Sequence, residues 1–121
     1  MSLRLPWPRP ANPPVLQAQF ASRQTNTLGE LLTLGSVFTP SPAYAGPVDV
    51  VNGLDDFVFC GGNCSYPTNQ AQLVIDAFYP SASSGSQTFL QPQSGHVLAQ
   101  HYNAQQGFSQ MTAFLHSNGI A

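Results

Sequence analysis

The order of elements along this sequence, strand–helix–strand–helix, predicts an α/β protein built on parallel strands. Three observations carry that expectation. Val48-Asp-Val-Val-Asn is a β-branched run opened by Gly46-Pro47 and closed by Gly53, the pattern of a buried strand. Asn69-Gln-Ala-Gln-Leu-Val-Ile-Asp-Ala-Phe-Tyr reads as a helix stopped by Pro80. Gln87-Thr-Phe-Leu-Gln then reads as a second strand, followed by a long helical pattern.

The segment before these elements is rich in proline. Pro6, Pro8, Pro10, Pro13 and Pro14 fall within the first fourteen residues. Proline fixes φ and removes a donor, so residues 1–25 are expected to be extended or disordered. Residues 26–121 then form the folded part. Within it, Asn26-Thr-Leu-Gly-Glu-Leu-Leu-Thr-Leu-Gly reads as a short helix capped by Asn26 or Thr25. Glu30 lies near its positive end and Gly35 closes it. Thr39-Pro-Ser-Pro-Ala-Tyr-Ala-Gly-Pro is a loop by composition. Asp49 stands out inside the first strand, because a carboxylate there needs a partner. Phe57-Val-Phe is expected to extend the packing beyond the turn. Residues 81–86 form a loop of small side chains. The last helix is expected over residues 99–117, with Tyr102, Phe108, Met111, Phe114 and Leu115 at core-like spacing and Gly119 closing it.

A length of 121 residues allows one compact domain. Charged residues make up 7% of the chain, against roughly 25% in an average soluble domain. Lysine is absent, and the three cations Arg4, Arg9 and Arg23 sit in the first quarter. Nucleic-acid binding needs clustered cations to neutralise phosphates, so it is excluded as a function class, and a polybasic membrane contact with it. No apolar run approaches the roughly 18–20 residues that span a bilayer. The N-terminus does not read as a secretory signal, because Pro6, Pro8 and Pro10 interrupt any helical apolar region.

Two residues stand where chemistry is expected, each on a turn that follows a strand. Asp56 lies in Asn52-Gly-Leu-Asp-Asp-Phe and His96 in Gln93-Ser-Gly-His-Val-Leu. In open parallel sheets functional groups gather at the carboxyl ends of the strands. There an Asp can fix the tautomer of a His and stabilise its imidazolium while the His takes a proton. Each residue also has a plain reading, Asp56 as a turn cap and His96 as a loop residue. Asp55 is the alternate acid. His101 reads as structural or pocket-lining, and His116 as a helix C-terminal residue interacting with the dipole.

Cys60 and Cys64 flank Gly-Gly-Asn, which is neither a Cys-x-x-Cys redox motif nor a zinc knuckle. A local disulfide across Gly61-Gly62 is the favoured reading. A metal site of Cys60, Cys64, His96 and His101 is chemically allowed but competes with the base role of His96. No cofactor is expected. Asn63-Cys-Ser is a glycosylation sequon whose middle residue the disulfide would share. Together these two features lean towards a secreted parent protein. Ser36, Ser84, Ser86 and Ser94 lie near glycines, yet none follows a strand and opens a helix as a nucleophile elbow does.

Residues 27–120 resemble the C-terminal end of α/β-hydrolases, especially fungal ones. The resemblance rests on Gly46-Pro-Val-Asp-Val-Val-Asn-Gly-Leu-Asp-Asp-Phe, Phe59-Cys-Gly-Gly-Asn-Cys and Ser94-Gly-His-Val-Leu-Ala-Gln-His-Tyr-Asn-Ala. It implies the last two strands of that sheet, with the final helix packed behind them. It also implies Asp56 and His96 as acid and base of a Ser-Asp-His triad that hydrolyses a small ester or peptide substrate. The family's nucleophile lies in Gly-x-Ser-x-Gly, which occurs nowhere in this sequence. On this reading the nucleophile, the oxyanion hole and the earlier strands lie upstream of residue 1. Asp49 is also atypical for the family. The alternative function is a non-catalytic remnant or interaction module. It would pair, or self-associate, through the unpaired outer edge of the first strand.

Overall fold

A computed structural model describes residues 12–120. In chain order the elements are α1 (Pro13–Ala21), α2 (Leu28–Thr33), a 3₁₀ turn at Leu34–Val37, β1 (Asp49–Gly53), α3 (Phe57–Cys60) and α4 (Gln70–Phe78). β2 (Gln87–Gln91), a 3₁₀ turn at Leu98–Gln100 and α5 (Ala104–Ser117) complete the fold. It is a mixed α/β arrangement around two parallel strands. The register sets Asp49 opposite Gln87 and Gly53 opposite Gln91. Parallel strands require a crossover, and α4 supplies it, packing against both strands as α5 does. No described helix is long and apolar enough to cross a membrane.

Local chemistry explains the crossover helix. Asn69 caps α4, its side-chain oxygen accepting the N–H groups of Ala71 at 3.0 Å and Gln72 at 3.3 Å. Its amide donates to the Thr88 hydroxyl at 3.0 Å, so the same cap ties the helix to β2. Ala71 and Ile75, one turn apart, face inward. Asn118 and Gly119 end α5 in a Schellman motif. Gly119 has φ 66°, its N–H bonds the His116 carbonyl, and the Ile120 N–H bonds the Leu115 carbonyl.

Four expectations change. Over residues 13–21 the chain is helical rather than extended, because Pro13 and Pro14 occupy the first turn, where a missing N–H costs no hydrogen bond. The first eleven residues of that segment lie outside the described residues. Thr27, not Asn26 or Thr25, caps α2. It forms a capping box in which Glu30 N–H bonds the Thr27 hydroxyl and Thr27 N–H bonds the Glu30 carboxylate. Phe57, Val58 and Phe59 form a one-turn helix with their side chains largely exposed rather than a packed extension. The last helix starts at Ala104, five residues later than expected, because the His101 and Asn103 side chains hold the loop that precedes it. Of its five expected core residues, Phe114 is buried, while Tyr102, Phe108 and Leu115 are exposed.

The interior divides by chemistry. Cys64, Ala71, Ile75 and Phe114 are the buried apolar residues among those described. The largest side chains shielded from water are Gln91, Asp56, Cys64 and Ser94, three of them polar. All but Cys64 lie at or just beyond the carboxyl ends of the two strands. Leu28, Leu32, Phe38 and Phe57 are more than half exposed. An open apolar groove lined by Val37, Phe38, Val50, Val51, Val74 and Phe78 runs beside β1.

Among the described residues Asp49 lacks the partner its position demands. Both carboxylate oxygens are buried without a hydrogen bond. The Gln87 amide across the ladder faces it but is itself unpaired. Burial raises the Asp49 carboxyl above its ordinary value, with the Gln87 amide offsetting part of the effect. A raised carboxyl binds its proton more tightly in the folded than in the unfolded chain. Stability therefore falls as pH climbs from about 4 through the folded value. Asp49→Asn should stabilise the protein at pH 7 by about 1 kcal/mol, several degrees in Tm, and the gain should vanish at pH 3. Thermal melts of both proteins at the two pH values check this.

Candidate active site

Two turns, one after each strand, are clamped together by backbone hydrogen bonds. Leu54 N–H donates to the Gln91 carbonyl at 2.8 Å, and Asp55 N–H to the Ser94 carbonyl at 2.9 Å. Gly53 permits this approach. A Cβ there would run into the carbonyl oxygens of Ser94 and Gly95 and lie 2.8 Å from the Ser94 carbonyl carbon. The glycine that closes β1 is thus required by the turn that follows β2.

Asp56 then caps α3, its Oδ1 accepting the Phe59 N–H at 3.0 Å. The helix ends after one turn at Gly61, which has φ 63°. The Cys60–Cys64 disulfide spans this end, with Cα atoms 4.9 Å apart. Cys64 N–H donates to the Leu54 carbonyl at 2.8 Å, and the Asn52 amide lies 3.2 Å from Cys64 Sγ. The loop containing Asp56 is therefore tied back to β1 at both ends. With a sequence separation of 4 the closed loop is short, and the chain-entropy model assigns such a bridge about 2 kcal/mol.

The second turn is held by polar side chains. The Gln91 amide donates to the Ser94 hydroxyl at 2.7 Å and to Asn103 Oδ1 at 3.2 Å. Ser94 Oγ also lies 2.9 Å from Asn103 Oδ1, and the Asn103 amide donates to the Pro92 carbonyl at 2.7 Å. Gly107 of α5 admits Gln91, since a Cβ there would sit 2.6 Å from Gln91 Oε1. Gly95 N–H donates to His101 Nε2 at 3.1 Å, which requires the lone pair on Nε2 and places the imidazole proton on Nδ1. Val97 follows the site histidine at φ 62°, a left-handed conformation that a β-branched residue rarely adopts.

The two turns bring Asp56 and His96 together. His96 Nδ1 lies 3.0 Å from Asp56 Oδ2. The carboxylate has no exposed surface, whereas the imidazole side chain is 43% exposed. Phe59 lies edge-on to the imidazole, ring centroids 5.1 Å apart. Among the described residues no hydrogen bond engages His96 Nε2. Burial, the largest single influence, pushes the Asp56 carboxyl up. The Phe59 N–H, the His96 hydrogen bond, the His96 charge and the Val58 N–H together outweigh it, so the carboxyl lies below its ordinary value. An ionised Asp56 accepts only, which puts the His96 proton on Nδ1 and leaves the Nε2 lone pair on the open side. Such a pair can take a proton from a hydroxyl and hold the resulting imidazolium.

The remaining candidates fall elsewhere. Asp55 contributes its backbone N–H to the clamp and no hydrogen bond to His96. His101 supports the Gly95 turn. Ser94 spends its hydroxyl within the Gln91–Asn103 cluster. Cys60 and Cys64 are oxidised to a disulfide, so the pair offers no thiolates to a metal. No group of three or more His, Cys, Asp or Glu side chains suited to a metal occurs among the described residues. Sequence reasoning did not single out Gln91 and Asn103. A polar residue at the last strand position and another just before a helix are the faint signals available, and neither is a motif. Comparison with protein-family models, with curated proteins and with solved structures finds no match.

Proposed function

We propose that this chain supplies the acid and base of a serine hydrolase of the α/β-hydrolase type. Asp56 orients His96, and His96 shuttles the proton of a serine carried by polypeptide outside these residues. The observation that carries the reading is the contact between a wholly buried carboxylate and an imidazole whose other nitrogen is open. Its position adds support: the pair stands at the carboxyl ends of parallel strands, acid on the first and histidine on the second. The reaction is cleavage of a small ester or peptide bond through an acyl-enzyme. His96 deprotonates the serine for attack and returns the proton to the leaving group. The open groove beside β1 is where the rest of such a sheet would pack.

The same groove and the outer edge of β1, unpaired among the described residues, favour a second reading, a non-catalytic module that binds another chain by strand addition or associates with its own copies. A serine-directed fluorophosphonate probe, applied to the native polypeptide that contains residues 46–121, separates the two. The hydrolase reading expects labelling of a serine outside the 121 residues, lost in His96→Ala, and no labelling of the 121-residue chain alone. Labelling of a serine within this chain overturns the reading. An unlabelled native polypeptide does the same and leaves the binding module.

A further inference from the structure

We infer that Asn63 is an acceptor for an N-linked glycan. Asn63-Cys-Ser65 is the single Asn-x-Ser/Thr triplet in the sequence. It lies in the exposed loop between α3 and α4, with Asn63 and Ser65 both at the surface. The Asn63 side-chain oxygen accepts two hydrogen bonds from Ser65, one from its backbone N–H at 3.0 Å and one from its hydroxyl at 2.7 Å. Both draw electron density towards Oδ1 and away from the amide nitrogen, which makes Nδ2 more acidic. Among the described residues no hydrogen bond occupies Nδ2, so the atom that would carry the sugar is open to solvent.

The middle residue points to the same compartment. Cys64 is wholly buried and bridged to Cys60, a bond that persists in oxidising surroundings such as the secretory lumen. Oligosaccharide transfer to Asn-x-Ser takes place in that lumen. A sugar on Asn63 also displaces nothing in the fold. The side chain is exposed, and the interior neighbour in the triplet is the cysteine.

The co-substrate is an oligosaccharide joined through pyrophosphate to a polyprenyl lipid. Asn63 Nδ2 attacks the anomeric carbon, a C–N bond forms and the bond from that carbon to the pyrophosphate oxygen breaks. The lipid pyrophosphate leaves with the electron pair, and the amide gives up one proton to the transferase. No oxidation is involved. Bridge formation competes with the transfer, because closing Cys60 to Cys64 constrains the loop that the transferase must bind. Occupancy should therefore be partial and should rise when the bridge cannot form.

The test expresses the full chain behind a secretion leader in a eukaryotic host and measures intact mass before and after peptide-N-glycosidase. A glycan-sized increment that the enzyme removes is expected, with an oxygen-18-labelled aspartate left at position 63 when the digestion runs in labelled water. Asn63→Gln and Ser65→Ala should lose the increment, while Ser65→Thr and Cys64→Ser should raise occupancy. The proposal falls if the secreted, disulfide-bonded chain and Ser65→Thr both lack the increment, or if Ser65→Ala keeps it. None of these readouts depends on a hydrolase activity.

Discussion

Asparagine at position 56 should switch the tautomer of the His96 imidazole and remove its capacity to act as a base. A carboxylate only accepts, so it holds the proton on Nδ1, whereas an amide can present its NH₂ group to Nδ1 and drive the proton to Nε2. Long-range proton–nitrogen correlation spectra of the isolated chain would show the exchange of tautomers directly, without any nucleophile. In a polypeptide that supplies the serine, turnover should drop by about 10⁴-fold, the magnitude known for the equivalent change in a serine protease triad. The fold should survive, because asparagine caps helices as well as aspartate does and α3 keeps its cap. Asp56→Ala removes cap and partner together and should cost about 2–4 kcal/mol. An Asp56→Asn chain whose His96 retains the Nδ1 proton would contradict the role assigned to the carboxylate.

The pH dependence that Asp56 brings runs opposite to that of Asp49. Asp56 has a carboxyl held below its ordinary value in the fold. Its stabilisation is therefore complete above about pH 4 and is lost as pH falls through the lowered folded value. Asp49, raised by burial, weakens the fold over a range that begins where Asp56 reaches full effect.

Alanine at position 53 should be the most damaging substitution outside the polar pair. Its Cβ meets the backbone of Ser94 and Gly95, which cannot rotate out of the way as a side-chain tip can. The clamp between the two turns must open, and with it the Asp56–His96 contact. A loss of about 3 kcal/mol in urea unfolding is expected, at the upper end of overpacking costs. Gly35→Ala is the control, since nothing lies within 4 Å of a Cβ there, and its stability should hold or rise slightly. Equal midpoints for the two variants would show that the turns are not locked as the geometry implies.

Much of this architecture is legible in the sequence. The first strand follows from a β-branched run with glycine punctuation and α4 from a proline stop, signals contained within ten residues or so, and Gln87-Thr-Phe-Leu-Gln reads as the second strand. The Cys60–Cys64 bridge also follows from local spacing, because two cysteines four residues apart across paired glycines can approach closely. Sequence and structure part where a local signal has two meanings. Pro13 and Pro14 suit an extended chain and a first helical turn equally well. The apolar spacing of Tyr102 and Phe108 marks a helix face, but that face is left exposed. Nothing in residues 99–103 announces that two of their side chains hold the turn after β2.

Sequence alone determined the α/β class, the parallel pair, and the placing of one Asp and one His on turns after strands. Those properties depend on the backbone preferences of neighbouring residues, which a linear pattern records. Tertiary structure decided that Asp56 rather than Asp55 meets His96 and that Gly53 is required by the backbone of residues 94 and 95. It also decided that a buried Gln91–Ser94–Asn103 cluster supports the second turn. Each of these contacts joins residues separated by a turn, a helix or the whole crossover. Their energies come from burial and hydrogen-bond geometry between segments, quantities that exist only once the two strands lie side by side.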